Sequence, residues 1–251
     1  MLAGIQIKNV SFGYKKNQPI LHDLSLNITR GSFIGVIGAN GSGKSTCAYL
    51  LNGLIPHVIT GHFAGEVIID GISTRSHNTA FFARNVSLLF QNPDFSLFNL
   101  TVMDEIEFGL KNLRYDNLTQ RVAKALALVG LSGYEQRHPQ TLSLGEKQKV
   151  CLACILALDT DYIVLDEPIA MLDYQSSLAI YKILKTLNNA GKTIVVIEHD
   201  TDFLWNFTDD VVALFRGKIV AHATKNTVLT DKKLMQTLGV KLPNVQVNFT
   251  T

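Results

Sequence analysis

Residues 38–45 read Gly-Ala-Asn-Gly-Ser-Gly-Lys-Ser. An apolar run, Phe33-Ile34-Gly35-Val36-Ile37, precedes them, and a helix-prone stretch from Thr46 to Leu51 follows. A buried strand feeding a helix through a glycine loop is the setting in which G-x-x-x-x-G-K-S wraps a polyphosphate. The loop must turn backbone N–H groups toward phosphate oxygens, and a Cβ would obstruct several of those positions. Gly38, Ala39, Asn40, Gly41, Ser42 and Gly43 form the expected cradle, and Thr46 follows in the first turn of the helix. That helix start adds partial positive charge and free N–H groups. Lys44 is expected to reach the β- and γ-phosphates, and the Ser45 hydroxyl to ligate Mg²⁺.

The rest of the composition fits a packed globular chain. Of 251 residues, 47% are apolar and 18% charged. A net charge of +2 is too small to argue for nucleic acid and barely suggests a membrane surface. No apolar run approaches the roughly 18 residues that a bilayer span needs. Met1-Leu2-Ala3-Gly4 leads straight into a strand pattern rather than a signal peptide, so a cytoplasmic location is expected. The cysteines, Cys47, Cys151 and Cys154, are odd in number and sparse, which argues for reduced thiols. Cys151-Leu-Ala-Cys154 has C-x-x-C spacing but lies in an apolar helical run without a second cysteine pair. Buried thiols are favoured there over a redox or metal site.

Hydrophobic periodicity then organises the chain. Ile5, Ile7 and Val10 alternate, as do Leu24, Leu26 and Ile28, and Glu66–Asp70 is another short strand; these suggest an antiparallel β-layer. Val86–Phe90, Tyr162–Leu165 and Thr193–Ile197 are continuous apolar strands of the kind buried on both faces of a parallel sheet. Between them Val102, Ile106 and Leu110, then Leu118, Val122, Ala125, Leu126 and Val129, recur with helical spacing. Residues 92–158 therefore read as an inserted helical subdomain. Asp173 to Ala190 is a further helix, ended by Gly191. The C-terminal extension, 218–251, is expected to hold a strand at Lys218–Ala221, short helices near Val228 and Leu234, and an extended or frayed end.

Two further constellations carry chemistry. Tyr162-Ile-Val-Leu-Asp-Glu ends a buried strand with two carboxylates, where open α/β sheets place their ligands. Asp166 is the expected Mg²⁺ partner, through water, for the ion held by Ser45. Glu167 is placed to orient or deprotonate an attacking water. Capping of the following helix is the alternative use of such a pair. Leu142-Ser-Leu-Gly-Glu-Lys-Gln opens a helix in which Ser143 and Glu146 make a capping box. A helix start with Ser and Gly is also an anion site, and the two roles are compatible.

In order and spacing, the glycine loop, Gln91, Leu-Ser-x-Gly, Asp166-Glu167, Asp173 and His199 resemble ATP-binding cassette (ABC) ATPases over essentially the whole chain. The resemblance implies an α/β P-loop NTPase core with an N-terminal antiparallel β-subdomain and the inserted helical subdomain. It implies that Tyr14 stacks on adenine and that Gln91 links the Mg²⁺ and water site to a transport subunit. Ser143 and Gly145 would bind the γ-phosphate of ATP held by a second cassette. Asp173 would belong to the loop coupling the two sites, and His199 would contact the γ-phosphate. The chain departs from the usual signature at Leu144, where glycine is common, and at Glu146, where glutamine is common. Those departures place bulk and negative charge near the nucleotide held between subunits.

A narrower resemblance rests on Phe90-Gln-Asn-Pro-Asp-Phe-Ser-Leu-Phe98, Thr101-Val102, Asp104-Glu-Ile-Glu-Phe-Gly109, Gly53-Leu-Ile-Pro-His57 and the tail Leu238-Gly239…Leu242-Pro243. These are similar to the energy-coupling factor (ECF) transporter ATPases. They imply uptake of a vitamin or transition-metal ion, and work at the cytoplasmic face of the membrane. They also imply three partners: a second ABC ATPase subunit, an integral membrane coupling subunit and a substrate-binding membrane subunit. Asp94 is expected to face the membrane partner and to receive its arginines. Another ABC importer, a soluble non-transport ABC ATPase and a non-hydrolysing cassette are the alternatives. The chain lacks the long coiled-coil insertions and tandem cassettes of the soluble class. Its intact Lys44, Asp166, Glu167 and His199 argue against a non-hydrolysing role.

Overall fold

The computed structural model describes residues 4–246. The opening residues 1–3 and the expected frayed end at 247–251 lie outside that range. In chain order the elements are β1 (Gly4–Gly13), β2 (Leu21–Thr29), β3 (Phe33–Ile37), α1 (Lys44–Leu51), α2 (Leu54–His57), β4 (His62–Ile69) and β5 (Ile72–Ser73). Then come α3 (Thr79–Phe82), β6 (Val86–Leu89), a 3₁₀ turn at Pro93–Phe95, α4 (Val102–Asn112), α5 (Leu118–Leu128), a second 3₁₀ turn at Pro139–Thr141 and α6 (Leu144–Ala157). The chain continues with β7 (Tyr162–Asp166), α7 (Tyr174–Asn189), β8 (Thr193–Ile197), α8 (Thr201–Phe207), β9 (Asp210–Phe215), β10 (Lys218–Thr224), α9 (Lys225–Leu229) and α10 (Lys232–Leu238).

The strands form two sheets. One is a four-stranded antiparallel layer in the order β2-β1-β4-β5, and the other is six-stranded in the order β10-β9-β3-β8-β7-β6. In the larger sheet every pairing is parallel except the edge pair β9–β10. All five residues of β3, β7 and β8 are buried, because layers cover both faces. Successive side chains alternate between two cores, as strand geometry requires. Phe33, Leu165 and Val196 face the helices α4–α8, whereas Ile34, Val164 and Val195 meet α1 and the antiparallel layer.

The helical spacing read at 102, 106 and 110 buries Val102, Ile106 and Leu110 completely, and α4 and α5 both pack on α6. Thr101 caps α4 by accepting from the Asp104 N–H, which sets where that helix begins. Asp173 is the cap of α7 rather than its first residue, and the helix runs Tyr174–Asn189. Periodicity left out α8 and β9. The Val211–Leu214 run is short and lies close behind a helix, yet it pairs directly with β3 in the centre of the sheet. β10 is bound to β9, so the segment expected as an extension supplies an edge strand of the main sheet.

Candidate nucleotide site

Sheet order puts the chemistry together. At their C-terminal ends β6, β7, β8 and β3 lie side by side, with Leu89 opposite Leu165, Asp166 opposite Ile197 and Val36 opposite Ile197. The residues just beyond these ends are Gln91, Glu167, His199 and the loop starting at Gly38. Four segments distant in sequence thus converge on one edge.

The loop has the form its glycines permit. Gly41 and Gly43 adopt φ of +74° and +102°, and a Cβ on Gly43 would lie 2.7 Å from Leu21 Cδ2. Gly43 is also the N-cap of α1, so the free N–H groups of that helix open into the loop. Lys44 folds back under it and donates from Nζ to the carbonyls of Gly38 at 2.9 Å and Ala39 at 3.2 Å. Burial lowers its pKa, and Glu167 and Asp166 oppose that shift. Ser42 Oγ is buried without a hydrogen-bond partner among the described residues. A caged amine and an orphaned hydroxyl inside a turn of N–H groups are what a polyphosphate would satisfy.

Asp166 is 2% exposed, and its pKa is raised by burial, with the Ser45 hydroxyl hydrogen bond opposing the rise. Joined to Ser45, this carboxylate fits Mg²⁺. That ion needs one or two protein oxygens and takes its other ligands from phosphate and water. No group of three or more His, Cys, Asp and Glu that could hold a metal exists among the described residues.

Glu167 stands at the centre. Its Oε2 accepts from Gln91 Nε2 at 2.8 Å, and its Oε1 lies 3.0 Å from His199 Nε2. Its backbone is held at φ +52°, left-handed for a non-glycine residue, while its N–H donates to Ile197 O at 3.0 Å. Such a conformation persists where surrounding structure over-determines it, which is common at functional sites. Tyr14 reaches the loop from the antiparallel layer, with its hydroxyl 3.2 Å from Thr46 Oγ1 and its ring edge-on to Phe12. Half-exposed, the Tyr14 ring is free on one side to stack.

Ser143, Gly145 and Asp173 are not brought to this loop. The cavity bounded by Asn40, Lys44, Ser45, Gln91 and Glu167 contains none of them. Ser143 caps α6, accepting from the Glu146 N–H, and Glu146 Oε2 accepts from the Ser143 N–H at 2.8 Å. Tyr134 donates its hydroxyl to the other Glu146 oxygen at 2.8 Å. The Glu146 pKa is lowered, first by the Ser143 backbone bond and then by Tyr134. The negative charge expected beside a nucleotide is therefore bound into its own helix cap. Gly145 packs against Met171 and Leu172, so that cap and the turn before Asp173 form one surface, on which Leu144 is half-exposed.

Asp94, expected to be available to a partner's arginines, accepts from Lys147 Nζ at 2.7 Å. Cys151 and Cys154 lie on α6, where burial pushes Cys151 up to about 12 and Cys154 well above its usual value, so neither is a ready nucleophile. Sequence reasoning passed over Glu198 and Gln148, both buried polar residues next to the site. A carboxylate between a buried strand and His199 was the available signal.

Known proteins resemble this chain over most of its length. The family described as ABC transporter matches residues 21–170. The chain is 37% identical to the energy-coupling factor transporter ATP-binding protein EcfA of Methanothermobacter thermautotrophicus, over 95% of this chain and 76% of the relative. It superimposes with a TM-score of 0.79 on the ATP-binding cassette MJ0796 in a dimeric, post-hydrolysis state bound to ADP and Pi; identity is 28%, covering 88% of this chain and 98% of that one. The TM-score is 0.78 with cbiO1 from Clostridium perfringens, part of the ABC transporter complex cbiONQ; identity is 26%, covering 96% of both chains. The chain belongs to the ABC transporter ATP-binding protein family. It is an ATP-binding and ATP-hydrolysing subunit of a transporter.

Proposed function

We propose that this chain powers uptake of a micronutrient, a vitamin or a transition-metal ion, through an ECF-type transporter. The observation that carries this reading is a groove of about 730 Å³ beside Gln91, bordered by Phe90, Phe98 and Phe108. All three rings are at least 41% exposed. An apolar groove joined to the hydrolytic edge by Gln91 suits a membrane subunit's helix. The likeness to EcfA and cbiO1 supports the same reading. No helix among the described residues is long and apolar enough to cross a membrane. In such a complex the chain would sit on the cytoplasmic face, as the likeness to the energy-coupling factor ATP-binding proteins suggests.

ATP would lie with its adenine on Tyr14 and its phosphates in the loop 38–45. Lys44 would exchange its carbonyl partners for phosphate oxygens. Ser45, Asp166 and Gln91 would hold Mg²⁺, which when bound supplies positive charge against the β- and γ-phosphates. Glu167 takes the proton of the attacking water at a carboxylate oxygen, and His199 holds the γ-phosphate side of the site. Ser143 and Gly145, remote from the loop in their own chain, would close over ATP on a second cassette, with Asp173 at the joint. ATP offers those residues γ-phosphate contacts that ADP lacks, so the closed pair forms with ATP and opens after hydrolysis.

The test is capture of the tagged chain from gently solubilised membranes of its own host, followed by mass spectrometry. Recovery of a polytopic membrane subunit with a small substrate-binding membrane protein is expected. Absence of the chain from membranes, with soluble proteins alone retained, would overturn the transporter assignment and leave the ATPase standing.

A further inference from the structure

The Pro168–Ile169 peptide, one residue beyond Glu167, meets a buried polar side chain at each polar end. Its carbonyl, Pro168 O, accepts from Gln148 Nε2 at 3.2 Å, and Gln148 comes from the α6 helix capped by Ser143. Its N–H, that of Ile169, faces the carboxylate of Glu198, the residue just after β8. The same carboxylate accepts from the His199 N–H through Oε2 at 3.2 Å. Gln148 is 1% exposed and Glu198 4% exposed. Each retains one buried oxygen, Oε1, without a hydrogen-bond partner among the described residues. Two costly burials on opposite sides of one peptide, directly behind the Glu167–His199 contact, call for a role beyond packing.

We infer that Glu198 is a positioning residue of the hydrolytic site: with Gln148 it orients the Pro168–Ile169 peptide, and so sets Glu167 against His199. The inference rests on the roles proposed above for Glu167 and His199. It also gives the α6 helix a direct hold on the segment carrying Glu167, through Gln148. The groups facing Glu198 are Glu167 at the end of β7, His199 and Asp200 beyond β8, and Tyr181 on α7. Burial pushes the Glu198 carboxyl up to about 8; the N–H groups of His199 and Ile169 oppose that shift, and Glu167 and Asp200 add to it. Its ionised form accepts those two N–H groups more strongly than its neutral form.

The experiment compares steady-state MgATP hydrolysis by the purified full chain with that of Glu198→Leu, Glu198→Gln and Glu167→Gln, from pH 6.5 to 9. Glu198→Leu is expected to lower kcat about tenfold with KM within about twofold, the pattern of a displaced reacting group. Glu198→Gln keeps an acceptor oxygen and is expected to hold kcat within about threefold of wild type. Wild type is expected to show a rise in kcat through pH 8, and Glu198→Gln to abolish it. Wild-type kcat in the leucine variant, or an equal loss in both variants, would overturn the inference. Should Glu198→Leu not fold, the glutamine variant decides alone, and a pH profile like that of wild type overturns it. Retained hydrolysis in Glu167→Gln would instead remove the base assignment on which the inference rests.

Discussion

Gln91 Nε2 donates to Glu167 Oε2 across 2.8 Å, linking the ends of β6 and β7 and joining the rim of the apolar groove to the carboxylate at the centre of the nucleotide site. Gln91 thus touches both the groove proposed to receive a membrane subunit and the carboxylate proposed to act on water. Gln91→Ala should lower kcat about tenfold while leaving the KM for ATP within about twofold, because it frees the base without touching the phosphate loop. Steady-state phosphate release over a range of ATP concentrations checks this.

Lys44 is held by two loop carbonyls rather than by a carboxylate, so its amine can move to phosphate without breaking an ion pair. Lys44→Ala should weaken ATP binding roughly 10- to 100-fold, as loss of charge-assisted hydrogen bonds worth about 1.5–3 kcal/mol implies. Equilibrium titration with a fluorescent ATP analogue measures it.

Lys147 joins α6 to the turn after Gln91 through Asp94 at 2.7 Å, and also reaches Gln140 Oε1 at 3.3 Å. Asp94 is half-exposed, so Lys147→Met should destabilise the chain by no more than about 1 kcal/mol in urea unfolding. The same change frees the Asp94 carboxylate, and capture of the proposed membrane subunit should strengthen. Weaker capture would show that the pair itself, not the free carboxylate, is the docking surface.

Glu198 also bears on stability. Its folded pKa, about 8, lies above the usual carboxylate value of 4.5. Between those values the folded chain therefore binds more protons at this residue than the unfolded chain does. Its contribution is fully present below the unfolded value and declines as pH rises through the folded one. Glu198→Gln should remove that slope. Its stability relative to wild type should grow between pH 5 and 8.5 by an amount on the order of 1 to 5 kcal/mol, read from paired urea curves.

What was legible in the sequence was local. The loop from Gly38 to Ser45, the Asp166-Glu167 pair and the Ser143–Glu146 capping box are contiguous signals whose geometry follows from a few bonds of chain. Alternation in β1 and β2, and continuous apolarity in β3, β7 and β8, gave the layers because one or two covered faces leave different patterns. What stayed hidden depends on neighbours across the sheet. The Gln91–Glu167 bond exists because β6 lies beside β7. Lys147 meets Asp94 across a gap of 53 residues that no periodicity spans. Glu198 follows an apolar strand and precedes His199 in the sequence, but its burial depends on what meets it from elsewhere, including Tyr181 of α7 and the Ile169 N–H. β9 escaped because its short apolar run gains its meaning from pairing with β3.

The measurement that tests the account most directly is single-turnover hydrolysis of ATP labelled at the γ-phosphate, in wild type and in Glu167→Gln, with bound nucleotide analysed after rapid removal of free ligand. Wild type is expected to retain ADP, and Glu167→Gln to bind ATP with similar affinity and keep it intact, with hydrolysis slowed by about 10²- to 10⁴-fold. Hydrolysis at the wild-type rate in Glu167→Gln would contradict the assignment of Glu167 as the group that takes the proton from water.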